Sequence, residues 1–473
     1  MGRKKQLPVL RDVTITDIGS EGNAIARVDD MVLFVPGMVP GDVIDVRVTK
    51  KKKRYMEGVA IALTTPSPDR ITAPCSHFGA CGGCRWQHLP YERQLYYKQK
   101  QVNDNLTRIG HTPIPEIEPI TGSEKTYGYR NKLEFTFSEK RWLTPDELAS
   151  KTGMQNNPAL GFHIPGIFDK VLDINNCLLM TEPADTIRNE ARKYALDQGL
   201  PFYDFREHHG FLRNLIIRKA TSGEVMVILV TTESLPEERN RLLAWLAGSF
   251  PAISSLYYII NNKWNDSIAD LTPVHYSGEL FITEEMEGLK FRVGPKSFYQ
   301  TNSDQAGRLY SIVKEFAGLQ GDDIVYDLYT GTGTIACYLA AMAGSVTGLE
   351  YIEEAVADAR VNASVNNITN AHFIAGDIRN IFNESLFTEY GRPDVIITDP
   401  PRAGMHGDVT AALLSSGAAR IVYVSCNPAT QARDIDILSS LYDVRRVAPV
   451  DMFPQTFHVE NVVLLEKRTD SIV

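Results

Sequence analysis

Apolar and polar residues alternate with a period of two in the first part of the chain, between residues 8 and about 66. Four short runs there are rich in β-branched side chains: residues 9–15, 23–28, 31–35 and 43–48. Glycine, proline and a pair of aspartates separate these runs, as expected of tight turns. Side chains alternate between the two faces of a strand. The pattern therefore predicts a small β-barrel.

The pattern of residues 71 to about 290 is mixed. Four segments have the composition of strands: 160–163, 212–219, 225–230 and 255–260. Two segments, 182–198 and 236–248, have helical periodicity. The polar run 91–108 is also helical, and we expect it to be a solvated helix. Residues 141–157 are polar and predict a long loop. An α+β central domain is expected from these features.

From residue 291 onward, apolar strand-like segments alternate with helical ones, which is typical of a parallel, doubly wound α/β sheet. The strand-like segments are residues 323–329, 345–350, 371–377, 394–399 and 421–424. The segment 64–69, rich in proline and serine, predicts a linker. These changes of pattern divide the chain into three predicted domains, at residues 1–68, 69–290 and 291–473.

The length and composition agree with several domains. A chain of 473 residues is too long for one hydrophobic core. With 43% hydrophobic and 23% charged residues, it has the composition of a soluble globular protein. It contains no apolar run near the roughly 18 residues of a membrane span. Residues 1–6 are charged with no apolar run behind them, so we expect no secretory signal, no membrane and a cytoplasmic location.

The net charge of −9 conceals a basic front. Residues 1–110 carry 17 Lys+Arg against 11 Asp+Glu, which leaves 32 against 47 for the rest. Five consecutive cations occupy positions 50–54, directly after the strand-like run 43–48. They predict a contact with nucleic-acid phosphates, and a solvated hairpin tip explains them equally well.

Three of the six cysteines, Cys75, Cys81 and Cys84, lie within ten residues of one another. In a chain without secretory features, such clustering indicates a metal site rather than disulfides. Cys177 could supply a fourth thiolate. The spacing does not choose the metal, because four thiolates suit both tetrahedral zinc and an iron–sulfur cluster.

A glycine-rich turn at residues 330–334 follows the first strand of the α/β segment. It lacks the third glycine of the dinucleotide fingerprint, which disfavours NAD and FAD. Glu350 ends the second strand, where a carboxylate can accept both ribose hydroxyls. Asp377 ends the third strand-like segment, near the expected edge of an adenine. A turn and two acids in this order resemble a Rossmann-like S-adenosylmethionine (SAM) methyltransferase domain.

Cys426 directly follows the fifth strand, in the sequence Ser425-Cys-Asn-Pro428. Chemistry in open α/β sheets is placed at the carboxyl ends of strands. Taken alone, this cysteine is better explained by packing than by nucleophilic catalysis. The fourth strand runs into Asp399-Pro-Pro-Arg402, which lacks the aromatic residue that methyltransferases of exocyclic amines carry there.

Four motifs together resemble the RNA uridine-5-methyltransferase family. They are residues 297–302, 399–402, 425–434 and 453–460. The resemblance extends over essentially the whole chain. Its front is similar to a TRAM domain, an OB-like RNA-binding barrel, followed by the cysteine motif, and this arrangement resembles the 23S rRNA branch more than the tRNA branch.

The resemblance implies a SAM-dependent enzyme that methylates C5 of a uridine, with RNA as its partner and the chain as a monomer. It assigns the nucleophile to Cys426 and the general base to Glu460. It assigns SAM contacts to Gln300, Tyr329, Glu350, Asp377 and Asp399. It also implies a [4Fe–4S] cluster on Cys75, Cys81, Cys84 and Cys177.

The family chemistry explains why a cysteine stands beside the cofactor. Thiolate addition to C6 of uracil makes C5 nucleophilic, and a carboxylate then removes the C5 proton. The expected substrate is 23S rRNA. Two alternatives remain: the same chemistry on a tRNA uridine, and an RNA-binding or assembly factor without catalysis.

Overall fold

The computed structural model describes residues 7–19, 21–150 and 158–468. The segment 1–6, for which no secretory signal is expected, lies outside these residues, as do positions 151–157 of the predicted polar loop. Among the helices of the described residues, none combines the length and the apolar composition needed to cross a membrane.

The N-terminal strands form one six-stranded sheet. They are β1 Val9–Thr14, β2 Asp17–Ile18, β3 Ala24–Val28, β4 Met31–Val35, β5 Val43–Lys51 and β6 Tyr55–Thr65. Their order is β1-β5-β6-β4-β3-β2, and β1 also lies against β3, so the sheet curls around an apolar core. The barrel-like fold predicted from the alternating pattern is confirmed. The cations 50–54 lie at the turn between β5 and β6.

Helix α1, Tyr91–Ile109, is not the solvated helix that its polar sequence predicted. Val102 and Leu106 are fully buried in the core of the C-terminal sheet. The Lys98 ammonium is also buried and lies 2.5 Å from the Asp451 carboxylate. The prediction was wrong because polar residues were taken to be exposed, whereas here they meet polar partners inside the protein.

The central sheet has seven strands in the order β13-β12-β11-β10-β7-β8-β9. In chain order, its elements are β7 Lys132–Ser138, α2 Pro145–Ser150, β8 Ala159–His163, β9 Val171–Asp173, α3 Ala184–Asp197, β10 Leu212–Lys219, β11 Val225–Thr231, α4 Pro236–Ser249, β12 Ile253–Ile260 and β13 Val274–Gly278. The predicted strands and two longer helices are present. The predicted loop 141–157 contains the short helix α2, which the polar composition concealed.

A two-stranded hairpin, β14 Ile282–Met286 and β15 Leu289–Val293, leads into the C-terminal α/β unit. This unit contains α5 Ser303–Ala317, β16 Ile324–Leu328, α6 Thr334–Ala340, β17 Ser345–Glu350, α7 Glu353–Val365, β18 Ala371–Ala375, α8 Ile378–Ile381, α9 Glu384–Tyr390, β19 Val395–Thr398, α10 Gly407–Ser416, β20 Arg420–Ser425, α11 Pro428–Leu438, β21 Tyr442–Val450 and β22 Glu460–Lys467.

The C-terminal sheet has the order β18-β17-β16-β19-β20-β22-β21. The first five strands in this order are parallel, as predicted, and β22 runs antiparallel to both of its neighbours. Apolar clusters cover both faces of the sheet, as buried parallel strands require. One cluster includes Ile216 and Ile228 of the central sheet, so the two sheets share a core. The domain boundaries at residues 68 and 290 stay predictions.

Candidate active site

The glycine-rich turn 330–334 joins β16 to α6 at the carboxyl edge of the sheet. Gly333 has a φ of +75°, and a Cβ at this position would lie 2.8 Å from the Cβ of Ala359 and 2.9 Å from the ring of Phe373. Only glycine allows this close approach of the turn to the structure behind it. The turn thereby keeps its outer side open to a ligand.

Glu350, at the end of β17, is oriented by this turn. The Gly331 N–H donates to its Oε2 at 3.1 Å, and the Ile352 N–H donates to its Oε1 at 2.9 Å. Each carboxylate oxygen can accept a further hydrogen bond. The turn and the first acid predicted from the sequence are thus brought together, with acceptor capacity left for a pair of hydroxyls.

Tyr329 directly precedes the same turn, and the segment that contains Gln300 contacts it. Tyr329 is half-buried with a φ of +65°, a strained conformation for a residue with a side chain. The segment containing Gln300 is tied to the turn, because the Thr332 hydroxyl donates to the Phe298 carbonyl at 3.2 Å. The Asn131 side chain donates to the Gln300 carbonyl at 2.8 Å.

Asp377 follows β18 and caps α8 by accepting the Arg379 N–H. Its carboxylate also pairs with the Arg379 guanidinium at 2.5 Å. This arginine, through its hydrogen bond, lowers the pKa of Asp377. The acid is therefore present after the third strand but already has a charged partner, and its role toward adenine stays a prediction.

Asp327, inside β16 beneath the turn, was not among the sequence-predicted site residues. It is 1% exposed, and its Oδ2 accepts the Thr330 hydroxyl at 2.5 Å. Its Oδ1 has no hydrogen-bond partner among the described residues. Burial raises the pKa of Asp327 to about 7. A lone acid in the apolar strand Ile324–Leu328 was the signal that could have revealed it.

Cys426 and Glu460 meet at the junction of two antiparallel strands. Ser425 of β20 pairs with Asn461 of β22, and extending this register by one position sets Cys426 opposite Glu460. Asn427 fixes the backbone next to the thiol, since its side chain accepts the Ala429 N–H and donates to the Arg402 carbonyl at 3.0 Å. Asp399-Pro-Pro-Arg402 and the cysteine motif are thereby joined.

Burial dominates the electrostatics of this junction. It raises the pKa of Glu460 to about 8 and that of Asp399 to about 7. The pKa of the half-buried Cys426 thiol rises to about 11, first through burial and then through the nearby carboxyls of Glu460 and Asp399. The Arg402 guanidinium opposes this effect and favours the thiolate. A thiol and a carboxyl whose pKa lies near neutrality are therefore neighbours at this junction, and these are groups that could act as nucleophile and proton acceptor.

The loop 451–459, which delivers Glu460, is held from the front of the chain. The Gln455 carbonyl accepts the N–H groups of Arg85 at 2.8 Å and Trp86 at 3.0 Å. The buried Gln94 side chain of α1 donates to the Gln455 side chain at 3.0 Å. The segment that follows Cys84 thus contacts the loop next to the candidate base.

Cys75, Cys81, Cys84 and Cys177 line one cavity of about 680 Å³. Burial raises the pKa of Cys84 to about 11 and that of Cys177 to about 12, and neighbouring thiols add to the effect. Within residues 7–19, 21–150 and 158–468, no three His, Cys, Asp or Glu side chains are close enough to hold a single metal ion. The four sequence-predicted thiols thus line one cavity without forming a ligand group for a single ion, and the [4Fe–4S] cluster stays a prediction.

Comparisons with known proteins agree with this geometry. A family model described as tRNA (uracil-5-)-methyltransferase matches residues 279–468, and a TRAM domain model matches residues 10–61. The C-terminal match contains the turn, Asp399, Cys426 and Glu460. The N-terminal match covers the six-stranded sheet.

Similar proteins extend over the whole chain. A protein of Bacteroides thetaiotaomicron, described as an uncharacterized RNA methyltransferase, is 55% identical over 454 residues, which is 95% of this chain and 100% of its own. One of Porphyromonas gingivalis with the same description is 52% identical, covering 96% and 100%. The crystal structure of Pyrococcus abyssi tRNA (uracil-54, C5)-methyltransferase with S-adenosyl-L-homocysteine is 30% identical, with a TM-score of 0.75 and coverage of 96% and 100%.

Proposed function

Because this chain belongs to the SAM-dependent RNA uracil-5-methyltransferase family, we propose that it methylates C5 of a uridine in 23S rRNA through a covalent bond between Cys426 and C6. The observation that carries this proposal is the register of β20 and β22, which sets Cys426 opposite the buried Glu460. A thiol and a carboxyl of near-neutral pKa are the two groups that C5 methylation of uracil requires.

The proposed mechanism assigns one role to each side chain. The Cys426 thiolate adds to C6, and the electron pair displaced from the C5–C6 double bond makes C5 nucleophilic. SAM supplies the methyl group that C5 accepts. Glu460 then removes the C5 proton, the C5–C6 double bond re-forms, and the Cys426 sulfur leaves as thiolate. The target base must leave its stack to reach both groups.

The proposed cofactor site uses the residues around the glycine-rich turn. Glu350 accepts the ribose hydroxyls with the lone pairs that Gly331 and Ile352 leave free. We further assign SAM contacts to Gln300, Tyr329, Asp377 and Asp399. The strained backbone of Tyr329 supports a ligand role, because strained residues cluster at ligand clamps.

The cysteine cavity is proposed to hold a [4Fe–4S] cluster. The thiols of Cys75, Cys81, Cys84 and Cys177, from two chain segments, line one cavity, and thiolates are the ligands of such clusters. Burial raises the pKa of the Cys81, Cys84 and Cys177 thiols, so a bound cluster would stabilise their ionised form. The contact of Arg85 and Trp86 with Gln455 suits a structural role for the cluster near the loop 451–459.

Two RNA substrates are supported by different observations. The order of a TRAM domain and then the cysteines that line the cavity supports 23S rRNA as the substrate. Similarity to the Pyrococcus abyssi enzyme, whose name specifies tRNA uracil-54, supports a tRNA uridine as the second candidate. We rank 23S rRNA first, because the resemblance of the cysteine motif is to the rRNA branch.

The decisive experiment compares wild type with Cys426→Ala. Both receive methyl-labelled SAM and either 23S rRNA or total tRNA from cells that lack the gene. Wild type should label 23S rRNA at C5 of uridine, and Cys426→Ala should give no label while binding SAM normally. The buried Cys337, in α6, provides the matched control, and Cys337→Ala should keep its activity. Labelling of RNA by Cys426→Ala would exclude the covalent mechanism. If wild type labelled only tRNA, the substrate would be a tRNA uridine rather than one in 23S rRNA.

A further inference from the structure

The loop between β12 and β13 presents an exposed aromatic side chain outside the site described above. Trp264 is 76% exposed, the highest value among the exposed large hydrophobic residues of the described chain. By comparison, Trp86 is 2% exposed. Most of the apolar surface of the Trp264 indole therefore lies in water, where a planar partner could cover it.

A buried arginine holds this loop in place. Arg213 of β10 is fully buried, and its guanidinium donates to the carbonyls of Asn261 at 3.1 Å, Lys263, and Asn265 at 2.9 Å. It also pairs with the Asp266 carboxylate at 2.8 Å. Two of these carbonyls belong to Lys263 and Asn265, the residues directly before and after Trp264 in the chain. A buried charge is costly, and here it fixes the backbone on both sides of an exposed ring.

The fully buried Asn261 completes this support. Its side-chain N–H donates to the Asn265 carbonyl at 2.9 Å, and its side-chain oxygen accepts the Lys263 N–H at 3.0 Å. The loop is therefore preorganised by hydrogen bonds rather than by apolar packing of Trp264. Preorganisation lowers the entropic cost of binding at such a position.

The ring of Trp264 is already stacked on one side. His208 lies nearly parallel to it, with ring centroids 4.9 Å apart and an interplanar angle of 14°. Planar aromatic partners stack in this way on nucleobases, and a tryptophan has a second face of the same kind. The exposed indole can therefore continue the stack with one further planar ring.

The loop also contacts a residue that lines the cysteine cavity. The Asp266 carboxylate is 3.8 Å from the imidazole of His163, which lines the cysteine cavity together with Lys132. Arg218 pairs with Lys132 across the strands and donates to the Ser297 carbonyl at 2.7 Å, three residues before Gln300. These contacts pass through the buried Arg218 and link the central sheet to the segment that precedes the glycine-rich turn.

We propose that Trp264 is a stacking platform for an unpaired base of the substrate RNA, at a position separate from the methylated uridine. This inference rests on the proposed function only in that RNA is the substrate. Its occupant is a nucleobase because the indole, held on a preorganised loop, has a second face that can extend an existing parallel stack of planar rings. An indole accepts any base on its face, so the platform contributes affinity rather than sequence selection.

The test uses the matched variants Trp264→Leu and Trp245→Leu. Trp245 also stacks on a neighbouring ring, that of Tyr194 at 4.5 Å, but belongs to α4. Base stacking on an aromatic residue predicts that Trp264→Leu weakens the affinity for unmodified 23S rRNA about 5- to 150-fold. The KM for RNA should rise equally, with kcat at saturating RNA and SAM affinity within twofold of wild type. Trp245→Leu should bind RNA like wild type, and Trp264→Phe should keep most of the affinity.

Fluorescence provides an independent readout. The difference between the emission spectra of wild type and Trp264→Phe isolates the fluorescence of Trp264. We expect 23S rRNA to quench this fluorescence and a fully paired RNA duplex to leave it unchanged. Unchanged RNA affinity of Trp264→Leu, or an equal loss in Trp245→Leu, would overturn the platform even when the enzyme is active. Failure of wild type to bind or methylate any RNA would instead overturn the proposed function, and the platform with it.

Discussion

At the scale of single residues, Glu460 retains its proton at a pH at which an ordinary glutamate has lost it. Burial in the folded protein, with Asp399 nearby, raises its pKa from 4.5 to about 8. A base with a pKa near the working pH is suited to remove the C5 proton and later release it. The same shift makes Glu460 a measurable probe of the active site.

Replacement of Glu460 by glutamine should trap the reaction after methyl transfer. The amide cannot take the C5 proton, so the bond between Cys426 and C6 cannot break. We expect Glu460→Gln to form a protein–RNA adduct on denaturing gels that carries the labelled methyl group. The double variant Cys426→Ala with Glu460→Gln is the control and should give no adduct. Normal turnover by Glu460→Gln would assign the base to another residue.

The raised pKa of Glu460 also predicts how stability changes with pH. The folded state holds a proton that the unfolded state releases above about pH 4.5, so Glu460 lowers stability progressively between pH 4.5 and 8. Glu460→Gln removes this effect. Its free energy of unfolding should match that of wild type near pH 4 and exceed it at pH 8.5 by up to about 5 kcal/mol, which thermal unfolding at each pH measures.

Glu466 provides the control for this measurement, because it lies on the same strand in a partly exposed ion pair with Arg445. Glu466→Gln should change stability by at most about 1 kcal/mol at any pH. A constant difference between Glu460→Gln and wild type across this pH range would show that Glu460 is not protonated in the fold.

Some of these residues could be predicted from the sequence and others could not. The motifs around Cys426 and Glu460 indicated the nucleophile and the base through a family resemblance, although 34 positions separate them. Spacing could not show that Glu460 is buried, because burial depends on how β22 pairs with β20. Asp327 was overlooked because an acid within an apolar strand has no periodic signature.

At the scale of secondary-structure elements, α1 joins the front of the chain to the catalytic sheet. Lys98 of this helix is fully buried against Asp451, which precedes the loop that carries Gln455 and ends at Glu460. The Tyr91 hydroxyl donates to the same aspartate at 2.9 Å. The helix therefore fixes the loop through a charge pair that water cannot screen.

Loss of one partner of this pair should be costly. Lys98→Met leaves the Asp451 carboxylate buried without its cation, which predicts a loss of about 3–5 kcal/mol. Lys100 is the matched control, because it pairs with Asp17 and Asp104 near the surface. Lys100→Met should cost no more than about 1 kcal/mol. Urea unfolding measures both, and equal losses would contradict the special role of Lys98.

Whether a segment forms a helix or a strand was largely predictable from the sequence. Which parts of the protein surround that helix or strand was not. The period-two runs predicted four of the six strands of the N-terminal sheet and missed β2 and β6, and the alternating pattern predicted the five parallel strands. The antiparallel pair β21 and β22 was not foreseen, because its position in the sheet depends on strand order rather than on local sequence. For α1, polar residues concealed a buried face that only the partners Asp451 and Gln455 explain.

At the scale of the whole molecule, the N-terminal sheet supplies the basic surface predicted from composition. Lys50 pairs with Glu57 at 2.6 Å. For Lys51, Lys52 and Lys53, the described residues provide no ion pair. These three lysines are therefore available for RNA phosphates.

Neutralising these lysines should weaken RNA binding in a salt-dependent manner. The variant Lys51→Ala with Lys52→Ala and Lys53→Ala should reduce the slope of log Kd against log salt by up to about 2. The affinity for SAM should not change, since the hairpin tip contacts no part of the glycine-rich turn. Lys290→Ala with Lys314→Ala provides a control of exposed cations elsewhere. An unchanged slope would favour the solvated hairpin tip.

The position of β22 has a consequence for the synthesis of the enzyme. This strand lies between β20 and β21, although both precede it in the chain. During translation, β20 and β21 therefore emerge before the strand that must separate them, and Cys426 has no opposing carboxylate until residues 460–467 have left the ribosome. Under the proposed mechanism, a nascent chain bound to RNA would carry the thiol but could not complete the reaction. Catalysis would begin only when β22 pairs with β20 and β21.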